Sequence, residues 1–236
     1  MDRLLPGARV GLAIALVAGC AAAPTAPAPA RSGVYGEVRL VPREGHPAPG
    51  DSGYGDRRMR GVVFVDYSRP GPAVVWAEGP SAGGRARLTI RRGPVGAHID
   101  PAHGALGAGG RIEIRNASPD PHVVSVPASG LLRRLEPGER LEVPAAASGE
   151  VGVFLLDEPG VEARLFAAPG PYALVSPTGR YALEDLPPGR RRISVWHPRF
   201  PGTSRWAELP ADGRLRLDLE LGVGELASDE AGDAGS

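Results

Sequence analysis

The chain has 236 residues, room for one large or two small domains. Glycine (34) and proline (26) far exceed ordinary usage and exclude long helices, while 42% apolar and 23% charged residues still suit packed cores. The 27 basic and 27 acidic residues balance to a formal charge of +0, which gives no electrostatic ground for nucleic-acid binding, and the single cysteine excludes a disulfide framework or a multi-thiolate metal cluster.

Every basic residue is arginine, so lysine Schiff-base chemistry and a P-loop are also excluded. Residues 1–19 read as a signal peptide, with Arg3 and Arg9 ahead of an apolar run too short to span a bilayer permanently. That run closes on Val17-Ala18-Gly19-Cys20, which resembles the lipobox of bacterial lipoproteins. The resemblance implies lipid on Cys20, with a secretory signal cut further on as the alternative. Residues 20–32 form a Pro/Ala tether that stays extended.

Between residues 33 and 221 apolar residues recur with period two or in short blocks bounded by Gly and Pro, the pattern of strands. In chain order these are 34–40, 62–65, 73–76, 86–91, 111–115, 123–126, 140–143, 152–156, 163–167, 172–175, 181–183, 191–196 and 214–221. The last alternates Leu with charge throughout. Residues 42–60 have no pattern and read as a long loop, and 223–236 as a disordered acidic tail. The fold class is all-β, in one or two sandwiches.

Two segments carry family resemblances. Residues 111–125, RIEIRNASPDPHVVS, place Asn116 shortly before His122 at the end of a strand. This resembles cupredoxins, specifically the plastocyanin-like group of bacterial envelope proteins, and implies a Greek-key β-sandwich. In that family a Cys, a second His and a Met complete a copper site of thiolate, imidazoles and weak thioether. The second segment contains Thr178-Gly179-Arg180-Tyr181-Ala182-Leu183, then Leu186-Pro187-Pro188-Gly189, then Ile193-Ser194-Val195-Trp196-His197. It resembles the carboxypeptidase regulatory-like, transthyretin-like module, which in such proteins follows the plastocyanin-like one at a Pro-Tyr junction. Counting back from Tyr172 as the family does puts the Met position at Val161, the second His at Glu158 and the Cys at Leu155. Three of four ligands are thus lost, and no Cys, His or Met occurs from 123 to 196. The expected organisation is a cupredoxin-like sandwich over 33–167, with its first strands as an N-terminal extension, followed by a small transthyretin-like sandwich over 168–222.

Competing readings attach to single residues. A rewired metal or electron-transfer site would draw on His122, His98, His103 and Glu158; the plainer reading is a relic His122 held by hydrogen bonds. Asp120, His122 and Ser125 invite a hydrolase triad, but 120 and 122 point to one side of an extended strand and 125 to the other. Asp157 and Glu158 read as solvated loop charge. Trp76 and Trp196 read as core, and Trp206, in the loop-like 201–211 stretch, as an exposed aromatic for glycan binding. Arg190, Arg191 and Arg192 read as a solvated strand edge or a phosphate contact. The expected protein is non-enzymatic and lipid-anchored through Cys20 in the bacterial envelope, facing the periplasm or cell surface. It carries no cofactor, copper included, binds no nucleic acid, and has a binding or structural role toward an envelope protein or glycan.

Overall fold

A computed structural model describes residues 32–42, 66–145 and 147–222. Cys20, the expected signal peptide, tether and tail, the 62–65 strand and nearly all of the 42–60 loop lie outside the described residues. Among the described residues the chain is all-β, with one short 3-10 turn at Pro127–Ser129.

The strands are β1 (Ser32–Val41), β2 (Val74–Ala77), β3 (Arg85–Gly93), β4 (Gly96–Asp100), β5 (His103–Gly107), β6 (Arg111–Asn116), β7 (His122–Val126), β8 (Leu131–Leu135) and β9 (Arg140–Pro144). They continue as β10 (Gly149–Leu155), β11 (Glu162–Ala168), β12 (Tyr172–Leu174), β13 (Arg180–Leu186), β14 (Gly189–His197), β15 (Phe200–Leu209), β16 (Gly213–Arg216) and β17 (Leu219–Gly222).

One sandwich packs the sheet β4-β3-β6-β9 against β5-β11-β10-β7-β8. Its pairs are antiparallel except β3 with β6 and β5 with β11. Alternation decides which side each strand buries: Ile112 and Ile114 of β6 point inward with Leu88, Val124, Val153 and Leu165, while Arg111, Glu113 and Arg115 point outward. Each such Leu or Ile contributes about 1.5–3 kcal/mol on burial.

The second sandwich pairs β13-β1-β16, with β17 also on β1, and packs this sheet against β12-β2-β14-β15. Val34, Val38, Val75, Leu183, Ile193, Val195, Leu219 and Leu221 fill the space between. The turn after Ser176 and the Pro187-Pro188-Gly189 turn lead into β13 and β14, where the Thr178–Gly189 signals place them.

The domain organisation departs from the sequence reading in one respect. β1 and β2, expected as extension strands of the 33–167 sandwich, belong to the other one. Tyr35 pairs with Ala182, and β2 sits between β12 and β14 with Val75 opposite both Ala173 and Val195. The first sandwich is therefore inserted between β2 and β12 rather than preceding a separate module. The reason is apolar matching: β1 buries Val34, Val38 and Leu40 against β13 and β17, whose own alternation is complementary.

The 214–221 stretch also differs, breaking into β16 and β17 at Leu217. Its carbonyl accepts a hydrogen bond from the Tyr181 hydroxyl (2.6 Å), and Asp218 Oδ1 accepts one from the Glu37 amide (3.0 Å). Gly36 permits this, since a Cβ there would strike the Leu217 carbonyl. β4, β5 and β8 were not expected, and β15 replaces the expected 201–211 loop. The glycines of β4 and β5 and the Pro201-Gly202 pair of β15 hide any period from a sequence reading.

The two sandwiches meet through Phe166 of β11, which lies between Trp76 (centroids 4.9 Å) and Trp196 (5.0 Å, stacked). Trp76 and Trp196 are thus not core residues of either sandwich; both are half-buried on the outer face of the second one.

Candidate functional site

Two places gather chemistry-bearing side chains. The first is the loop end of the inserted sandwich, where β6 stops at Asn116 and β7 begins at His122. Asn116 is fully buried and uses both ends of its amide. Its Nδ2 donates to the carbonyls of Asp120 (2.8 Å) and Leu135 (2.9 Å), and its Oδ1 accepts from the Ser118 amide (3.0 Å) and lies 2.8 Å from the Ser118 hydroxyl oxygen. This pins the 117–121 loop, and the Arg92–Asp120 ion pair ties the loop to β3. His122, 3% exposed, is held at both ring nitrogens: Nε2 lies 2.9 Å from Ser118 Oγ and Nδ1 lies 2.7 Å from Asp157 Oδ2. Asp157 Oδ1 accepts the Val123 amide at 2.7 Å. Burial pushes the Asp157 carboxyl up, but the Val123 amide and the His122 ring outweigh it and hold it below its ordinary value. An ionised carboxylate there is an acceptor only, so Nδ1 carries a proton and donates to it.

Ser118, His122 and Asp157 stand in the order of hydroxyl, imidazole and carboxylate used by nucleophilic hydrolases. Ser118 is 4% exposed, however, and its hydroxyl is also 2.8 Å from the Asp120 carbonyl, so no substrate atom reaches Oγ without displacing the 117–121 loop. The set considered from sequence, Asp120, His122 and Ser125, is not assembled: the Asp120 carboxylate pairs with Arg92, and Ser125 lies within the β7 ladder opposite Phe154 and Leu132. Asp157 is part of the His122 network rather than solvated loop charge. Sequence spacing could not reveal this, because Asp157 is 35 residues from His122 and reaches it only through the β10–β7 pairing.

The other expected positions fall apart in space. Leu155 is in the core, Val161 packs against that core, and Glu158 lies against Gly96 at the β3–β4 turn. His98 is exposed on β4 opposite Arg91, and His103 is exposed on β5 opposite Arg164. Partial desolvation of the ring, then the Arg164 guanidinium, pushes the His103 imidazole down. Among the described residues no three of His, Cys, Asp and Glu converge as a metal-holding group.

The second place is an open cleft of about 600 Å³ on the outer face of the β2-β14-β15 part of the sheet, beside the junction of the two sandwiches. Register arranges its side chains in two rows. Trp76, Ser194 and Ser204 are opposite one another across the three strands, and Arg192 stands opposite Trp206 in the next row. Glu78 extends that row beyond Arg192, whose carbonyl accepts the Glu78 amide (2.9 Å). Trp206 is 44% exposed and belongs to a strand, not a loop; the Arg190 guanidinium covers one face of its ring at 4.7 Å. Arg192 Nε donates to Ser204 Oγ (2.9 Å). Within the arginine run, Arg192 has β15 on one side and the Glu78 amide on the other, whereas Arg190 and Arg191 are paired with β15 alone among the described residues, so the start of the run is a strand edge toward β2.

No protein-family model matches the chain, and no curated protein does. Among solved structures the chain is similar to a purple cupredoxin from Nitrosopumilus maritimus, at 17% identity and a TM-score of 0.31, over 35% of this chain and 99% of that one. It is also similar to a chain described in the cryo-EM structure of a heme-copper terminal oxidase dimer, at 15% identity and a TM-score of 0.29, over 36% of this chain and 65% of that one.

Proposed function

We propose that the protein is a non-enzymatic component of the bacterial cell envelope, anchored by lipid on Cys20, whose cupredoxin-like sandwich carries no copper and serves as a binding scaffold. The observation that carries this reading is the state of His122. Both of its ring nitrogens are committed, to Ser118 and Asp157, whereas a copper ligand needs one lone pair free. The other ligand positions hold Leu155, Glu158 and Val161; two cannot coordinate, and the third is a hard oxygen donor mismatched to Cu(I). The residues present do not fit a type 1 copper ion. The buried Ser118 hydroxyl, held by its own loop, supports the non-enzymatic part of the reading. A sandwich that keeps its frame while its metal ligands are replaced still offers rigid surfaces for contact.

The test is metal content and visible absorbance of the full chain after copper incubation and desalting. The expected result is no stoichiometric copper and no blue band. One tightly held copper, lost in His122→Ala, would overturn the reading. Metabolic labelling with a tritiated fatty acid, present in the chain and absent from Cys20→Ser, checks the anchor.

A further inference from the structure

We propose that the cleft on the β2-β14-β15 face binds a saccharide chain of at least two pyranose rings. This deepens the binding role proposed above by giving it a place and a ligand class. The cleft sits beside the junction of two sandwiches, a common setting for ligand sites, and its volume of about 600 Å³ is that of a small-molecule or oligomer site.

Across the middle of the floor β14 spends its backbone on β15 and, over Ile193–Ala77 to Trp196–Val74, on β2, while β15 is the last strand of this sheet among the described residues. Over that paired middle, whatever binds is read by side chains.

Those side chains form a mixed set. Glu78 is an acceptor with no ion-pair or hydrogen-bond partner for its carboxylate among the described residues, though it is next to Arg192, a donor whose Nε is the only guanidinium nitrogen engaged. Ser194 is 7% exposed, lines the cleft and makes no side-chain hydrogen bond among the described residues. Its hydroxyl is not enclosed, so a ligand in the cleft reaches it directly. A ligand that offers donors and acceptors side by side, without net charge, satisfies all three groups; vicinal sugar hydroxyls do this.

The aromatics supply the other half. Trp76 and Trp206 occupy opposite corners of the two-row array. Strand spacing and the two-residue repeat put those corners about 12 Å apart. One ring cannot touch both indoles, whereas a chain of rings lying along the diagonal can, with its C–H faces on the indoles and its hydroxyls toward Ser194, Arg192 and Glu78. An apolar ligand would leave those polar groups unmet, and an anion would meet Glu78.

The experiment uses the full chain with two probes of β-linked pyranose, the hexamer of β-1,4-linked N-acetylglucosamine in solution and isolated peptidoglycan sacculi, plus the free stem peptide as a control arm. Binding of the hexamer is read by titration calorimetry and of the sacculi by co-sedimentation. The expected result is saturable binding, weakened about tenfold by Trp206→Ala through loss of an aromatic face. Glu78→Ala and Ser194→Val, which remove polar partners without emptying the core, weaken it as well, and Leu132→Ala on the far sandwich has no effect. Binding to sacculi alone, still lost in Trp206→Ala, places the ligand in a longer glycan and supports the proposal. No binding to either glycan, binding indifferent to Trp206 and Glu78, or binding carried by the stem peptide overturns it. Such a failure leaves the copper result untouched, so the two proposals fail separately.

Discussion

Replacing Asp157 with alanine tests whether the His122 network holds the loop end of the inserted sandwich. The substitution removes two acceptor oxygens: one 2.7 Å from His122 Nδ1, the other 2.7 Å from the Val123 amide. A buried polar group left without its partner costs about 1–3 kcal/mol. His122 is buried throughout, so its Nδ1–H bears that cost in full. The Asp157 side chain is itself 34% exposed, so water entering from its side re-solvates the Val123 amide in part. The expected loss is therefore about 2 kcal/mol, toward the middle of the range for one group rather than the sum for two. With a urea dependence of about 1 kcal/mol/M for a sandwich of this size, the unfolding midpoint falls by about 2 M. The assay is urea unfolding of the full chain followed by far-UV circular dichroism and by fluorescence. Trp76, Trp196 and Trp206 all stand on the second sandwich, so fluorescence reports mainly on that body, and its transition moves less. A circular dichroism midpoint within about 0.3 M of the parent would refute the network's role. So would an equal loss in Asp157→Ala when His122→Phe is already present, because the pair would then show no coupling.

Three further outcomes are expected. Burial, with the Arg199 charge, pushes the His197 imidazole down to about 4, and its Nδ1 accepts the Arg199 amide at 3.0 Å. Between the ordinary value of 6.5 and about 4 the unfolded chain takes up a proton that the folded chain refuses, so stability falls as pH drops through that window. His197→Asn keeps an acceptor without the titration, and urea midpoints from pH 7 to pH 4 should fall less steeply in it; parallel profiles would contradict this. Phe166→Ala removes the ring between Trp76 and Trp196, costs about 3 kcal/mol and shifts tryptophan emission to the red; unchanged emission would mean the junction does not depend on that ring. Gly170→Ala puts a Cβ onto the Ala77 carbonyl, between Phe166 and the cleft. It should loosen the joint by about 1–3 kcal/mol, seen as faster proteolysis near residues 169–171.

Much of the strand inventory is readable along the chain because alternation is local. β6 and β9 bury every second residue, as does β13 as far as Leu183, and the Pro-Pro-Gly and Thr-Gly turns mark where strands stop. β4 and β5 escape that reading because glycine has no side chain to place on either face. β15 escapes because only Phe200, Ala207 and Leu209 of its ten residues are buried. In the candidate sites, His122 is conspicuous as a histidine after a strand and Asn116. Trp206 is likewise singled out as an exposed aromatic, although for the wrong reason, since it is on a strand.

What the amino-acid order alone decides is the all-β class and the position of most turns. Each of these depends on residue type and short spacing. What tertiary structure decides is which strands meet. β1 and β2 join β13 to β17 across the whole inserted sandwich, because burial of Val34, Val38 and Val75 is satisfied only by the complementary faces of those distant strands. The same long-range pairing brings Asp157 to His122, and lines up Trp76, Ser194 and Ser204 across three strands. A strand's own pattern says which face it buries; it does not say against whom, since every half-buried strand presents a similar apolar face and only the assembled register selects among them.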